Sequence, residues 1–400
     1  MNYKRVNITI GLSERPWRGS LKTTTIIIRG HSMKIGILTF HRVYNYGAVI
    51  QAYCTQKIID DLDIDNEIID YTILKQKDFT DLYSRRNGLK RFFKTLLLIP
   101  FHSERFSRKK KFDAFINSMR LSDKKYIENE DLSETNKIYD CFLVGSDQVW
   151  NVTKKAESSD AYFLNFADED KIKISYASSV GIAKYDDLIT KKDYLKRFNA
   201  ISCRESGGAE ILSSIIDDKV STVLDPTLLV DKNYLLRLKS NMKTEPYILY
   251  YSLDGFDQRK RNLDVLKKLA DKFGLKVKFI TPEWPCHKIG EDLRDVGPDD
   301  FLSLISNAEI VCTNSFHGTA LSIKLGIPFY VLEEKNVKDE RKRSILKQLD
   351  LEERIISSCD EVENIIDYHM NFNGINIKLN KLMESSSLYL KKALCIGAEE

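Results

Sequence analysis

The chain has 400 residues, 42% of them hydrophobic and 30% charged, with a formal net charge of +4. At about 100–200 residues per domain this is a globular protein of two domains, which excludes a disordered, collagen-like or disulfide-stapled chain. So small a positive excess gives no reason to expect nucleic acid as a partner.

Residues 1–32 are polar, carry Pro16 and hold no sustained period, whereas Met33 stands directly before the apolar run Ile35–Phe40. Met33 is therefore the expected natural start, with 1–32 a mis-called or disordered extension. The longest apolar runs fall far short of the roughly 20 residues that span a bilayer, and no secretory apolar core opens the chain. The seven cysteines are scattered singly without a CxxC spacing, as core residues of a reduced, cytoplasmic protein would be.

Ile35–Phe40 reads as a first strand, and Ala48–Leu62 follows with apolar residues at helical spacing (Ile50, Tyr53, Cys54, Ile58, Leu62). An insert near 85–125 reads as helical, and its part Arg85–Lys111 sets ten Lys or Arg against the single acid Glu104. A solvated helical excursion is the simpler reading of it, and a basic amphipathic element on an anionic membrane surface the sharper one. Cys141–Val144, Ile174–Ala177 and Val220–Leu224 are strand-like and separated by helix-length segments, and a polar linker follows at Lys239–Pro246.

A second series then begins, with strands at Tyr247–Leu253, Lys276–Ile280, Ile310–Thr313 and Pro328–Leu332. Helices are expected near Gln258–Phe273, Asp299–Ala308, Gly318–Leu325 and Glu340–Leu349. The alternation predicts an α/β protein with two Rossmann-like domains, 33–238 and 247–357, facing a cleft, and a helical tail over 360–400. That tail either braces the first domain or contacts a partner.

Ligands of open parallel sheets bind beyond the carboxyl ends of strands, so stretches that follow strands carry most weight. Asn45-Tyr46-Gly47-Ala48 opens a helix, and its Gly can admit a ligand anion to the helix N-terminus; without a GxGxxG pattern no nicotinamide cofactor is indicated. Gly145-Ser146-Asp147-Gln148-Val149-Trp150-Asn151 offers hydroxyl, carboxylate, amide and indole groups that suit a sugar. Arg204, after Phe198–Ile201, matches the planar geometry of a carboxylate or phosphate, unless it serves a surface ion pair with Glu205 or another acid. Finally Val311–Ala320 joins a strand to a helix that Ser315 could cap, placing His317 in the first turn beside exposed N–H groups. There is no GxSxG elbow, P-loop, HExxH or kinase motif, and no His lies at ligand spacing from a Cys, so no metal is expected.

Taken together, Asn45–Ala48 with Gln51-Ala52-Tyr53, Gly145–Asn151, Ser175–Gly181, Arg204-Glu205, Val223–Leu229 and Ser315–Gly318 resemble the polysaccharide pyruvyl transferase family. The resemblance covers about Met33 to Leu332. It implies a fold similar to GT-B glycosyltransferases, and transfer of pyruvate from phosphoenolpyruvate to two hydroxyls of one sugar, with no cofactor. On it, Arg204 would clamp the donor, Ser315–Gly318 would receive phosphate, and His317 would act as acid or base. Asn45, Tyr46, Gly47, Ser146, Asp147, Gln148 and Asn151 become substrate-binding candidates, with Trp150 a stacking face or a packing residue beneath them. The expected acceptor is a sugar or a lipid-linked oligosaccharide, the latter giving 85–111 a reason to touch the inner membrane face. A GT-B-like nucleotide-sugar transferase, with Glu333-Glu334 near a ribose, and a non-catalytic binding protein of the same fold stay open as alternatives.

Overall fold

The computed structural model describes residues 33–74, 99–128, 130–153, 159–242, 245–253, 256–280, 289–333 and 339–395. Residues 1–32 and the first part of the basic insert, 75–98, lie outside these. Parallel strands β1 (Lys34–Leu38), β2 (Asp65–Thr72), β3 (Leu121–Ile127), β4 (Cys141–Val144) and β5 (Ile172–Ser175) form a first sheet in the order β3-β2-β1-β4-β5. Short strands β6 (Ser202–Cys203) and β7 (Ser221–Thr222) pair beside it. A second parallel sheet runs β10-β9-β8-β11-β12-β13, built from Tyr247–Tyr251 (β8), Lys276–Ile280 (β9), Gly290–Leu293 (β10), Ile310–Thr313 (β11), Phe329–Leu332 (β12) and Ile355–Ile356 (β13).

Every residue of β4, β8, β11 and β12 is buried. Such near-continuous apolar runs are what parallel strands need when helices cover both faces of the sheet. Strand order reverses between β1 and β4 in the first sheet and between β8 and β11 in the second. Chains leaving the carboxyl ends of strands at such a reversal diverge to opposite faces, and the crevice between them is where open α/β sheets bind ligands.

The main helices are α1 (Tyr46–Asp60), α2 (His102–Asn117), α3 (Ser206–Ile216), α4 (Phe256–Phe273), α5 (Pro298–Ser306), α6 (Phe316–Leu325), α7 (Glu340–Gln348) and α8 (Phe372–Ala393). One apolar cluster runs from α1 and the first sheet into α5 and α6, so the two domains share a core. Tyr46 stacks on Phe301 at 4.7 Å within it. The tail helix α8 braces the first domain: Tyr389 Oη donates to the Ser175 carbonyl at 2.9 Å, and Ser386 Oγ accepts from Leu224 N–H at 2.9 Å.

The expected helical insert near 85–125 needs correction at its end, where β3 forms the sheet edge with Asp123, Lys124 and Lys125 exposed. Exposed charge on an edge strand discourages pairing with another chain. Its helix α2 is a strut between domains, not a free solvated face. Lys111 Nζ reaches Asp300 at 2.8 Å in the second domain, and Arg108 donates to the Tyr44 carbonyl at 2.8 Å in the first. Among the described residues no helix is long and apolar enough to cross a membrane.

Candidate active site

Loops from both sheet reversals meet in a cleft of about 350 Å³. The first domain supplies Asn45 after β1, and Asp147 and Gln148 after β4; the second supplies Leu253 after β8, and Asn314 to His317 after β11. Local chemistry fixes these positions. Asn45 Oδ1 caps α1 by accepting from Ala48 N–H at 3.1 Å. Ser315 Oγ caps α6 by accepting from Gly318 N–H at 3.4 Å, which places His317 in the first turn, where the helix N–H groups are unsatisfied. Asp147 sits at φ +67°, a left-handed conformation that a short polar side chain tolerates better than most.

The N-termini of α1 and α6 face each other so closely that a Cβ on Gly47 would lie 2.3 Å from His317 Cγ and Nδ1. Glycine at position 47 is thus a condition for the imidazole's place. Behind the wall formed by Asp147, Phe316 and His317 lies Arg204. Its guanidinium carbon is 4.1 Å from the Phe316 ring centroid, Nη1 is 3.5 Å from His317 Nε2, and Nη2 is 3.5 Å from Asp147 Oδ1. Nη1 donates to Asp225 Oδ2 at 2.9 Å, while Nε and Nη2 are buried without a hydrogen-bond partner.

Asp225 is the carboxylate that joins these groups. Its Oδ1 accepts from the N–H and hydroxyl of Thr227, at 3.0 and 2.7 Å. Its Oδ2 accepts from Ser146 Oγ at 2.7 Å and lies 3.6 Å from His317 Nε2. Burial alone would push this carboxyl up, but His317, Arg204 and the Thr227 N–H hold it well below the usual carboxylate range. Burial pulls the Arg204 guanidinium down, yet Asp225, Asp147 and Glu205 together raise it above its ordinary value. Glu205 behaves oppositely: burial raises its carboxyl against the pull of Arg204, Ser179 and the Val180 N–H.

Of the residues singled out in the sequence, Asn45, Asp147, Gln148, Ser315, His317 and Glu333 line the cleft, and Glu334 lies outside the described residues. The other candidates for donor and acceptor stand behind it. Trp150 is fully buried, stacked on Phe163 at 5.6 Å with Nε1 donating to the Tyr162 carbonyl, so it packs the core and offers no face to a sugar. Ser146 is fully buried and committed to Asp225. Tyr46 is packed between the domains with its hydroxyl donating to the Val296 carbonyl. Asn151 spends its amide on Gln148 Oε1 at 3.2 Å. Gly47 makes room for His317, and Gly318 for Thr313, whose Oγ1 would lie 2.6 Å from an added Cβ. The ion pairing weighed for Arg204 forms, but buried rather than at the surface: it faces Asp225 at 2.9 Å, Asp147 at 3.5 Å and Glu205 at 4.0 Å.

Sequence reasoning gave no role to Asp225, although Asp-Pro-Thr announces it: a capping carboxylate followed by Pro at the first helical position. Beyond Glu333, it also passed over the second-domain rim around α7. There Arg341 donates to both oxygens of Asp339, Arg343 Nη2 reaches Glu333 Oε2 at 2.6 Å, and Lys342 Nζ donates to the Asn314 carbonyl at 2.8 Å. Among the described residues no group of three or more His, Cys, Asp or Glu could hold a metal ion. The arrangement can bind an anion through buried N–H donors and move a proton at the imidazole beside it.

A family model described as polysaccharide pyruvyl transferase matches residues 45–336. No curated protein matches the chain significantly. Among solved structures, the chain resembles Staphylococcus aureus MnaA bound to UDP (TM-score 0.53, 10% identity, 92% of this chain and 99% of that one). It also resembles a putative UDP-N-acetylglucosamine 2-epimerase from Listeria monocytogenes (TM-score 0.52, 11% identity, 91% and 97% covered). A third is the UDP-GlcNAc 2-epimerase of Methanocaldococcus jannaschii with UDP-GlcNAc and UDP (TM-score 0.50, 14% identity, 91% and 99% covered). At such identities the likeness speaks for the fold alone, two Rossmann-like domains in a GT-B-like arrangement.

Proposed function

The chain belongs to the polysaccharide pyruvyl transferase family, and from that premise we propose that it transfers pyruvate from phosphoenolpyruvate to two hydroxyls of one sugar. The acceptor is a cell-surface polysaccharide or its precursor, the product a cyclic ketal, and phosphate leaves. Two C–O bonds form at C2 of the donor and its bond to the phosphate oxygen breaks. Of the two hydroxyl protons, one ends on the methylene carbon, which becomes methyl, and the other on the released phosphate.

One observation carries this reading: a buried, charged arginine with two nitrogens that face carboxylates but make no hydrogen bond stands against the imidazole of His317 at the N-terminus of α6. A small dianion or trianion beside a proton donor is what such a place suits. His317 delivers the proton to the methylene carbon, Arg204 and the α6 N-terminus hold the donor's negative groups, and Asp147 and Gln148 face the acceptor hydroxyls. Of the acid pair that would favour a nucleotide-sugar enzyme, Glu334 lies outside the described residues and Glu333 lines the cleft, where it accepts from Asp339 N–H and Arg343; the test below separates that alternative. We place the reaction in the cytoplasm; an acceptor carried on a lipid would bring 85–111 to the inner membrane face. Salt-sensitive sedimentation with anionic vesicles is then expected, and indifference to them would remove that part.

The direct test incubates the protein with phosphoenolpyruvate and a panel of methyl glycosides. Phosphate release in step with a pyruvate ketal on one glycoside is expected. Consumption of a nucleotide sugar with phosphoenolpyruvate untouched would overturn the reading.

A further inference from the structure

We propose that Asp225 is a positioning residue of the transfer step, the carboxylate that lets a guanidinium and an imidazolium stand side by side. This rests on the pyruvyl-transfer reading above. For His317 to deliver a proton to carbon it must carry one, yet its Nε2 lies 3.5 Å from Nη1 of Arg204. Two cations so close, away from water, repel strongly. Three carboxylates face Arg204, and the one that also pairs with His317 is Asp225, whose Oδ2 lies 2.9 Å from Arg204 Nη1 and 3.6 Å from His317 Nε2.

The carboxylate is held for that task. Oδ1 is occupied by the two Thr227 bonds, so the plane of the group is set and Oδ2 is turned toward the pair, with Ser146 Oγ as its third neighbour. Ser146, Arg204 and His317 come from three separate strand-end segments and both domains, and Asp225 itself is 1% exposed. Asp225 has no part in the cleft lining, and its oxygens are taken by Thr227, Ser146 and Arg204, so it has none left for substrate. It acts through Arg204 and His317. It also opposes the donor's own negative charge, and that opposition separates a positioning role from a merely architectural one.

Asp225→Asn keeps the shape and the acceptor oxygen but removes the charge. Phosphoenolpyruvate affinity, measured by calorimetry, is expected to hold or tighten, while phosphate release with the methyl glycosides falls about 10²-fold or more. Parallel loss of affinity and turnover, as a structural lesion gives, or turnover within a few-fold of the parent, would overturn the proposal. Should Asp225→Asn fail to fold, Thr227→Val removes the hydroxyl bond to Oδ1 while keeping the N–H bond, and is expected to produce a smaller split of the same sign, with the same two overturning results. A parent protein that binds no phosphoenolpyruvate sinks the pyruvyl-transfer reading itself, a result distinct from an active parent whose Asp225 variant shows no split.

Discussion

Helix α6 is buried along its whole length, yet its two ends do different things. At the N-terminal end His317 faces the cleft and stands beside an arginine that keeps two N–H groups unpaired. At the other end Lys324, equally buried, donates to the Leu228 carbonyl at 3.0 Å and meets Met383 Sδ at 3.4 Å. Both ends hide a titratable group from water, so burial does not separate site from scaffold. What separates them is whether the polar valences are filled from within the chain. A buried donor without a hydrogen bond is costly, and one that stands beside a cleft is placed for a ligand to fill.

The comparison breaks most sharply at His317. Replacing it with Ala is expected to lower turnover by about 10²–10⁴-fold with the melting transition intact, the effect of losing a general acid. Gly47→Ala comes next, because its Cβ cannot share space with the imidazole. A displacement of that size is expected to cost about 10²-fold in turnover although residue 47 carries no chemistry. Steady-state kinetics beside thermal melts check both.

Trp150→Phe tests the other side of the contrast. It leaves the Tyr162 carbonyl without its indole donor and should cost about 1–3 kcal/mol of stability, read by denaturant unfolding, with turnover per folded molecule unchanged. A loss of turnover exceeding the loss of folded protein would return Trp150 to the site. The smallest effect belongs to Lys324, whose ammonium burial pushes down to about 8 from an ordinary 10.5. Between those values the unfolded chain binds more protons than the folded one, so stability rises with pH through that window and the burden is fully present below it. Lys324→Met is expected to flatten that rise and raise the melting temperature near neutral pH, leaving turnover alone.

Much of this was legible in the residues. The continuous apolar runs at 141–144, 247–251 and 310–313 announced central parallel strands, and the junctions after them held Asp147, His317 and Ser315. β2, β3 and β10 were not legible, because Asp65-Asn66-Glu67, Asp123-Lys124-Lys125 and Glu291-Asp292 interrupt their apolar pattern at or near sheet edges. Sequence reading could say that Gly145–Asn151 follows a strand but not which of its side chains turn outward. Asp147 faces the cleft while Ser146 and Trp150 turn inward, a division set by the loop's backbone course and by packing partners far along the chain. Asp225 hid for the same reason: Arg204 and Ser146 lie 21 and 79 residues away from it.

The most direct test of the central claim is a thermal melt with phosphoenolpyruvate, and separately with UDP- and GDP-sugars, of the parent and Arg204→Ala. A ligand at 100 times its Kd adds about 2.7 kcal/mol to the folded state, a plainly visible shift. The expected result is a rise with phosphoenolpyruvate that disappears in Arg204→Ala. A rise with a nucleotide sugar alone would contradict pyruvyl transfer and leave a GT-B-like glycosyltransferase in its place.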